Sequence, residues 1–449
     1  MSSKSLTRRR CIAALTTGAV GTLLACGGPG PRQPPPLPTP VPSTPVELHV
    51  WATAWTAATQ QLWRDVLAPG FRQRFPSWHV TAAWLAPDEL PQRVAAARAA
   101  GQSPDVVQCA AENGGVLAYQ GMLLPLGPRM STWKDREELF DAGLAGSRWE
   151  GRLVGMPQLL APRAYFFRGD ILREVGVSAP PSTWAEQINV AGRLARVEGG
   201  RLVRRGFSAP SELEFQQLAA AFGRFLERPD DLLGEAAQRT LAFLRERQRA
   251  ATAGGLAAPA ESIPALAAGT LAAAYGGLTA VRAVAKYAPD RLDDLIVVDP
   301  PLPEVESGTA YRRLVLVGVA FLAIVQESPA HDPAWELISF LSETDPSLRW
   351  NETLYTVPPR KSVSAQGFLR ERRIGEVMRL VERYGAALPL SPYRSALRRA
   401  VGALLAVPED RSKGVTGLAT DRPESYHKVK KLKVCSAPVA WRDAGDRLY

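Results

Sequence analysis

With 449 residues, 46% of them hydrophobic and 22% charged, the chain has the composition of a globular protein and the length for two domains or one large bilobed unit. A mean hydropathy of −0.10, four cysteines with no Cys-x-x-Cys pair and four scattered histidines argue against a polytopic membrane protein, a disulfide framework and a metal site. The net charge of +10 gathers at the ends, with Lys4, Arg8, Arg9 and Arg10 near the start and nine Lys/Arg against six Asp/Glu in residues 409–449; the remainder is a mixed, solvated surface that implies no nucleic-acid partner.

The first element is a leader. Its basic segment ends at Arg10 and is followed by an uncharged run from Cys11 to Ala25, then Cys26. About 15 uncharged residues rise only ~22 Å as a helix, short of the ~30 Å hydrocarbon core, so residues 1–25 read as an export signal and not a membrane span. Residues 26–45 are dominated by proline. Polyproline II at ~3.1 Å per residue makes Gly27 to Pro45 a tether of up to ~60 Å.

From Val46 strands and helices alternate. Val46–Trp51 reads as a strand, a helical stretch runs toward Phe75 with an interruption at Pro69-Gly70, and His79–Leu85 is a second strand. Asp88–Ala100 is a helix stopped by Gly101, and Asp105–Ala110 is a third, buried strand. This βαβαβ order implies a parallel sheet with right-handed crossovers. Helices follow over 134–144 and 182–196, the latter capped by Ser182 or Thr183. Glu235–Arg249 is helical, Leu271–Tyr275 and Leu295–Val298 are short strands, and Leu314–Val325 is β-rich. Helices over Pro333–Leu341, 367–384 and 395–406 complete the body. Residues 408–449, where lysine becomes frequent, form an atypical basic tail.

Several segments carry resemblances. Thr7-Arg8-Arg9-Arg10-Cys11-Ile12 resembles the twin-arginine export motif, with Cys11 where a bulky apolar residue is usual, so general secretory export stays open. Leu23-Leu24-Ala25-Cys26-Gly27 resembles a bacterial lipobox, which implies lipidation of Cys26 and a protein anchored at the extracytoplasmic face of the cell membrane, at the cell surface or in the periplasm. Within the body, five stretches occur in order: Gly101-Gln-Ser-Pro-Asp105-Val-Val-Gln with Gln120-Gly121-Met-Leu-Leu-Pro125-Leu; Gly151-Arg-Leu-Val-Gly155-Met-Pro157; Phe167-Arg-Gly-Asp170 through Trp184; Ala268-Gly269 through Gly277 with Val298-Asp-Pro-Pro-Leu302-Pro303; and Ser328 through Leu341 with Val357-Pro-Pro-Arg360-Lys361. Over about 46–405 these resemble the family 1 extracellular solute-binding proteins of ABC importers, the maltose-binding-protein type.

That resemblance implies an α/β, two-lobed periplasmic-binding-protein-like fold (type II) with hinged lobes and crossing strands. Lobe one would be 46–157 plus 312–350 and lobe two 160–305 plus 355–407. Hinges would lie near Pro157–Leu160, Glu306–Tyr311 and Trp350–Thr356. The implied function is capture of a small solute, by family default a carbohydrate, and its delivery to ABC permease subunits by a monomer needing no cofactor. A sensing or scaffold lipoprotein on the same fold is the alternative, and an exported hydrolase the remotest one; no Gly-x-Ser-x-Gly elbow, His-Glu-x-x-His or P-loop signature is present.

Residues just after strands line the crevice of an open α/β sheet. The candidates are Trp51, Thr53 and Trp55 after the first strand, Glu112 and Asn113 after the third, and Gln158 after the first hinge proline. Tyr275 and Gly276 end the lobe-two strand, Tyr355 lies by the third hinge, and Tyr393 and Arg394 precede the last helix. Aromatic faces suit sugar C–H groups, and amide, carboxylate and guanidinium groups suit hydroxyls. Each has a plainer reading, Trp51 and Tyr275 as core residues, Glu112 and Asn113 as a helix start. Two departures weaken the carbohydrate default: Leu278 and Thr279 stand where a stacking tryptophan is frequent, and Leu159-Leu160-Ala161-Pro162-Arg163 where an acidic residue is frequent. They leave room for a less polar or an anionic solute.

Overall fold

A computed structural model of the chain describes residues 44–257, 264–304, 310–363 and 366–406. The leader, Cys26, nearly all of the tether, residues 306–309 of one expected hinge, and the tail lie outside them. Among the described residues no helix is long and apolar enough to cross a membrane.

The first strand, β1 (Val46–Thr53), alternates as a half-buried strand should: Leu48, Val50 and Ala52 point into the core between exposed Glu47 and His49. Thr56 caps α1 (Ala57–Leu62), accepting a hydrogen bond from Thr59 N–H at 3.1 Å. The break expected at Pro69-Gly70 does not occur. A π turn at Trp63–Leu67 leads straight into α2 (Ala68–Arg74), with Ala68 N–H bonded to Trp63 C=O. Pro69, which has no N–H to give, falls directly after this wide turn, within a helix that continues through it.

Next, β2 (Trp78–Leu85) runs parallel to β1 over all eight residues, and α3 (Leu90–Ala99) leads to β3 (Val106–Ala110), parallel to β1 on its other side. The expected parallel βαβαβ unit is therefore present. After α4 (Ala111–Tyr119) and α5 (Gly127–Thr132), the helix expected over 134–144 is replaced by a 3₁₀ turn at Arg136–Glu138 and the short α6 (Asp141–Gly146). Leu139 and Phe140 stay extended because Leu139 is buried in a bridge with Arg360 and Phe140 N–H bonds Pro359 C=O at 2.9 Å. This long-range pairing outweighs local helix preference.

A tight hairpin joins β4 (Arg148–Trp149) to β5 (Arg152–Leu153), its turn residues Glu150 and Gly151 both at positive φ. Two buried strands follow, β6 (Met156–Pro162) and β7 (Ala164–Arg168), then α7 (Gly169–Glu174) and α8 (Trp184–Leu194), whose cap is Thr183 with Glu186 closing a capping box. The β8 (Arg196–Glu198) and β9 (Arg201–Arg204) ribbon precedes α9 (Glu212–Ala220), α10 (Glu235–Ala251) and α11 (Ala265–Ala268). Then come β10 (Ala273–Gly276), α12 (Thr279–Tyr287), β11 (Leu295–Val298), β12 (Val315–Ile324), α13 (His331–Leu341) and α14 (Thr344–Leu354). The stretch expected as one helix over 367–384 is a 3₁₀ turn at Gly367–Arg370 and then α15 (Arg372–Tyr384), with Glu371 as its cap; β13 (Gly385–Ala387) and α16 (Arg394–Ala406) end the body.

Two sheets organise these elements. The larger has the order β13-β12-β3-β1-β2, with β6 also paired to β12; the smaller is antiparallel, β10-β7-β11. In the smaller sheet β7 is buried on both faces: Ala164 and Phe166 enter one apolar cluster, Tyr165 and Phe167 another. The key element is β12. Its first residues pair with β13 and its last with β3, and it serves three clusters. Val315, Val317 and Val319 join the one built on α12 and α15. Leu316, Phe321 and Ala323 join the one under α4. Ala320, Leu322 and Ile324 join the one shared by β1, α2 and α13.

Alongside it, β6 carries a bulge. Leu159 pairs with Ala320 and Pro157 with Phe321, leaving Gln158 as an extra residue. The result shows in packing: Met156 and Leu159, three apart and on opposite faces of a regular strand, enter the same cluster.

Candidate functional site

A chain of amides begins at the carboxyl ends of β1 and β3. Gln108 lies in the middle of the apolar strand β3, 1% exposed. Its Oε1 accepts from Thr53 N–H at 3.0 Å and from Trp55 Nε1–H at 2.9 Å, and its Nε2 donates to Gln158 Oε1 on the β6 bulge. Asn351 of α14 donates to the Gln158 carbonyl at 3.1 Å and accepts from Thr356 Oγ1 at 2.7 Å. The bulge thus turns the Gln158 side chain toward β3. The indole of Trp55 is held by its nitrogen while 37% of the residue stays exposed, which fixes the plane of an accessible aromatic face.

Three helix starts meet nearby. Gly115 of α4 lies against the segment that leads into α16: a Cβ there would sit 2.4 Å from the Ser391 carbonyl oxygen, so only glycine permits this approach. Ser391 Oγ accepts from Tyr393 N–H at 3.2 Å and donates to Glu227 C=O at 2.7 Å. Arg394, the first residue of α16 and 2% exposed, pairs with Glu212 in the first turn of α9. Carboxylates suit helix N-termini and guanidiniums do not, so Arg394 is tolerated there through Glu212. Burial raises the Glu212 carboxyl above its ordinary range; Arg394 opposes the rise and the negative charge of Glu112, in the first turn of α4, adds to it.

Beside the smaller sheet, Tyr275 O–H donates to Gln217 Oε1 at 3.0 Å, and the same oxygen accepts from Leu316 N–H at 2.8 Å. The Tyr275 ring packs on Tyr165 at 5.0 Å between centroids. Burial pushes the Tyr275 phenol well above its usual range, with the charge of Arg163 opposing. Among the described residues no cluster of His, Cys, Asp or Glu could hold a metal ion.

Residues 52–346 match the family model of the bacterial extracellular solute-binding proteins. The chain belongs to that family. The fold agrees. The sugar-binding protein MalE of Xanthomonas citri superposes with a TM-score of 0.69 at 20% identity, covering 86% of this chain and 100% of that one. CpMnBP1 with mannobiose bound gives 0.64 at 19% identity, covering 84% and 100%. The maltotriose-binding protein of Thermus thermophilus gives 0.60 at 19%, covering 83% and 98%. No curated protein sequence matches the chain. The two-lobed architecture of these solute-binding proteins is the architecture of this one, and the family is an exported one.

Within this solute-binding protein the candidate residues divide. Thr53, Trp55 and Gln158 are joined through Gln108, and Arg394 is joined to Glu212 beside Glu112. Trp51 is half-buried against the cluster under α4. Asn113 is committed at both ends, accepting from Ala110 N–H at 2.8 Å and donating to Pro87 C=O at 3.2 Å, as a helix cap does. Tyr275 and Gly276 end β10, an edge strand of the smaller sheet, and Tyr393 is half-buried. Tyr355 takes a left-handed conformation at the end of α14 and packs on Phe368 at 4.5 Å and under Arg282 at 5.2 Å. Sequence reasoning missed Gln108, Glu212, Gln217 and Asn351. A glutamine inside Val106-Val107-Gln108-Cys109 was the available signal, since a buried strand core seldom keeps an amide without a polar task.

Proposed function

We propose that the chain is the extracytoplasmic substrate-binding lipoprotein of an ABC importer, closing two lobes on a small carbohydrate and delivering it to permease subunits as a monomer. The observation that carries this reading is the Trp55 indole, fixed through Gln108 and Gln158 at the carboxyl ends of the strands. Such a face packs against sugar ring C–H groups, and neighbouring amides and carboxylates answer the hydroxyls. Structures of similar proteins with mannobiose and maltotriose bound support the same solute class.

Lobe one is assigned to 46–157 with 312–350 and lobe two to 160–305 with 355–407. A strand paired with β13 at one end and β3 at the other is suited to cross between lobes, and the Gln158 bulge gives β6 a point at which to bend. Cys26 carries the acyl anchor and residues 26–45 the tether. Cys26→Ala is expected to move the protein from the membrane fraction to the soluble one; a variant still sedimenting with membranes would refute the anchor.

Thermal unfolding tests solute capture. A bound sugar at a hundred times its Kd stabilises by ~2.7 kcal/mol, so mannobiose, maltotriose or a related oligosaccharide should raise the melting temperature by several degrees. A melting temperature indifferent to every sugar, with the protein folded, would favour the scaffold alternative.

A further inference from the structure

Near Tyr275 and the Gly276-Gly277 turn stands an arginine without an ion-pair partner among the described residues. Arg163 stands where β6 passes into β7, its backbone N–H bonded to Leu316 C=O at 2.9 Å. The side chain is half-buried, and its Nε is buried without a partner. Arg394, by contrast, has Glu212. Among the described residues no carboxylate lies within ion-pair distance of Arg163.

Its neighbours are also donors. The Arg163 Nη1 lies 3.6 Å from where a Cβ of Gly277 would stand, so the guanidinium faces the Gly276-Gly277 turn with no side chain between. That turn opens α12, nine residues long, with no acidic residue in its first turn. Ala280 N–H is bonded to Gly277 C=O at 3.0 Å, and no acidic side chain of the first turn offsets the partial positive charge of the helix end. Gln217, 2% exposed, has its oxygen committed to Tyr275 and Leu316, and its Nε2 is buried without an acceptor. Leu316 links the two residues: it accepts from Arg163 through its carbonyl and donates to Gln217 through its N–H. The guanidinium and the helix N-terminus both bring positive charge to the Gly276-Gly277 turn and repel unless an anion joins them.

We propose that Arg163, the Gly276-Gly277 turn and the start of α12 form an oxyanion subsite, so that the solute is a sugar or polyol bearing a carboxylate or a phosphate. The proposal rests on the solute-capture reading and narrows it. A guanidinium binds either oxyanion through two parallel N–H···O bonds, and the helix N–H groups complete the cradle.

The test is calorimetric titration of the full chain with three probes: an aldobiouronic acid, glucose 6-phosphate, and the neutral disaccharide matching the first. At least one charged probe should bind ten times more tightly than the neutral one, with a preference that shrinks as salt is added. Arg163→Gln should abolish the preference. Gly277→Asp should abolish it too, because it places a carboxylate beside the guanidinium at ordinary contact distance; it decides the matter if Arg163→Gln fails to fold. Uronate preferred over phosphate, or the reverse, identifies the oxyanion. Equal binding of charged and neutral probes, or a preference that survives both substitutions, overturns the subsite while leaving sugar capture standing. Failure of all three probes to bind overturns the subsite, whereas sugar capture falls only if no sugar raises the melting temperature.

Discussion

Replacing Arg247 with alanine is expected to cost about 3–5 kcal/mol of folding stability. The guanidinium, carried by α10, is fully buried, and so is its partner Glu214 on α9. Nη2 donates to Glu214 Oε2 at 2.8 Å, Nη1 donates to Glu214 Oε1 and to Gln187 on α8 at 3.0 Å, and the planar group lies 4.0 Å from the Phe207 ring centroid. Alanine would strand a carboxylate inside the protein with no opposite charge and open a cavity among three helices. Typical domain stabilities are ~5–15 kcal/mol, so such a loss is a large fraction of the whole. Urea unfolding followed by circular dichroism measures it. The pair itself need not be stabilising: Arg247→Met with Glu214→Leu, which removes both charges, should recover most of the loss. A single substitution costing under ~1 kcal/mol would show that water already reaches the pair.

Trp55→Ala is expected to weaken solute binding about thirtyfold, or ~2 kcal/mol. The magnitude follows from area. A tryptophan presents roughly 250 Å², of which 37% is exposed here. Covering half of that exposed part is worth ~1 kcal/mol at ~25 cal/mol per Å², and a ring contact adds roughly 0.5–1.5 kcal/mol beyond area. Trp55→Phe should fall between, since it keeps a face but loses the Nε1–H bond to Gln108. Titration calorimetry gives the affinities, and unfolding the control, because an exposed residue should change stability little. Unaltered affinity would make Trp55 a surface residue and no more.

Elements whose two faces differ were legible in the sequence. The alternation of β1 and the apolar stripe of α13 gave boundaries close to those observed. Elements buried all round were not. The run Met156–Arg168 has no alternation because β6 and β7 are covered on both sides, and α9 has every residue from Glu214 to Ala220 buried, so no polar face marks its period. The absent helix at 134–144 failed for another reason, since Leu139 is claimed by Arg360, more than two hundred residues away. At the site, Trp55 and Gln158 were named from their positions after strands, but what binds them, Gln108, depends on a register between β3 and β6 that passes through β12. Asn113 shows the reverse: an amide after a strand suggests a ligand, and its two hydrogen bonds make a helix cap.

The most direct test of the account is solution scattering from the full chain while a sugar identified by thermal shift is titrated to saturation. Closure of two lobes on a guest predicts a radius of gyration that falls with occupancy, along the same curve as calorimetric binding. Saturable binding with an unchanged scattering profile would contradict it, as would a sugar that binds equally well once Trp55 and Arg163 have both been replaced.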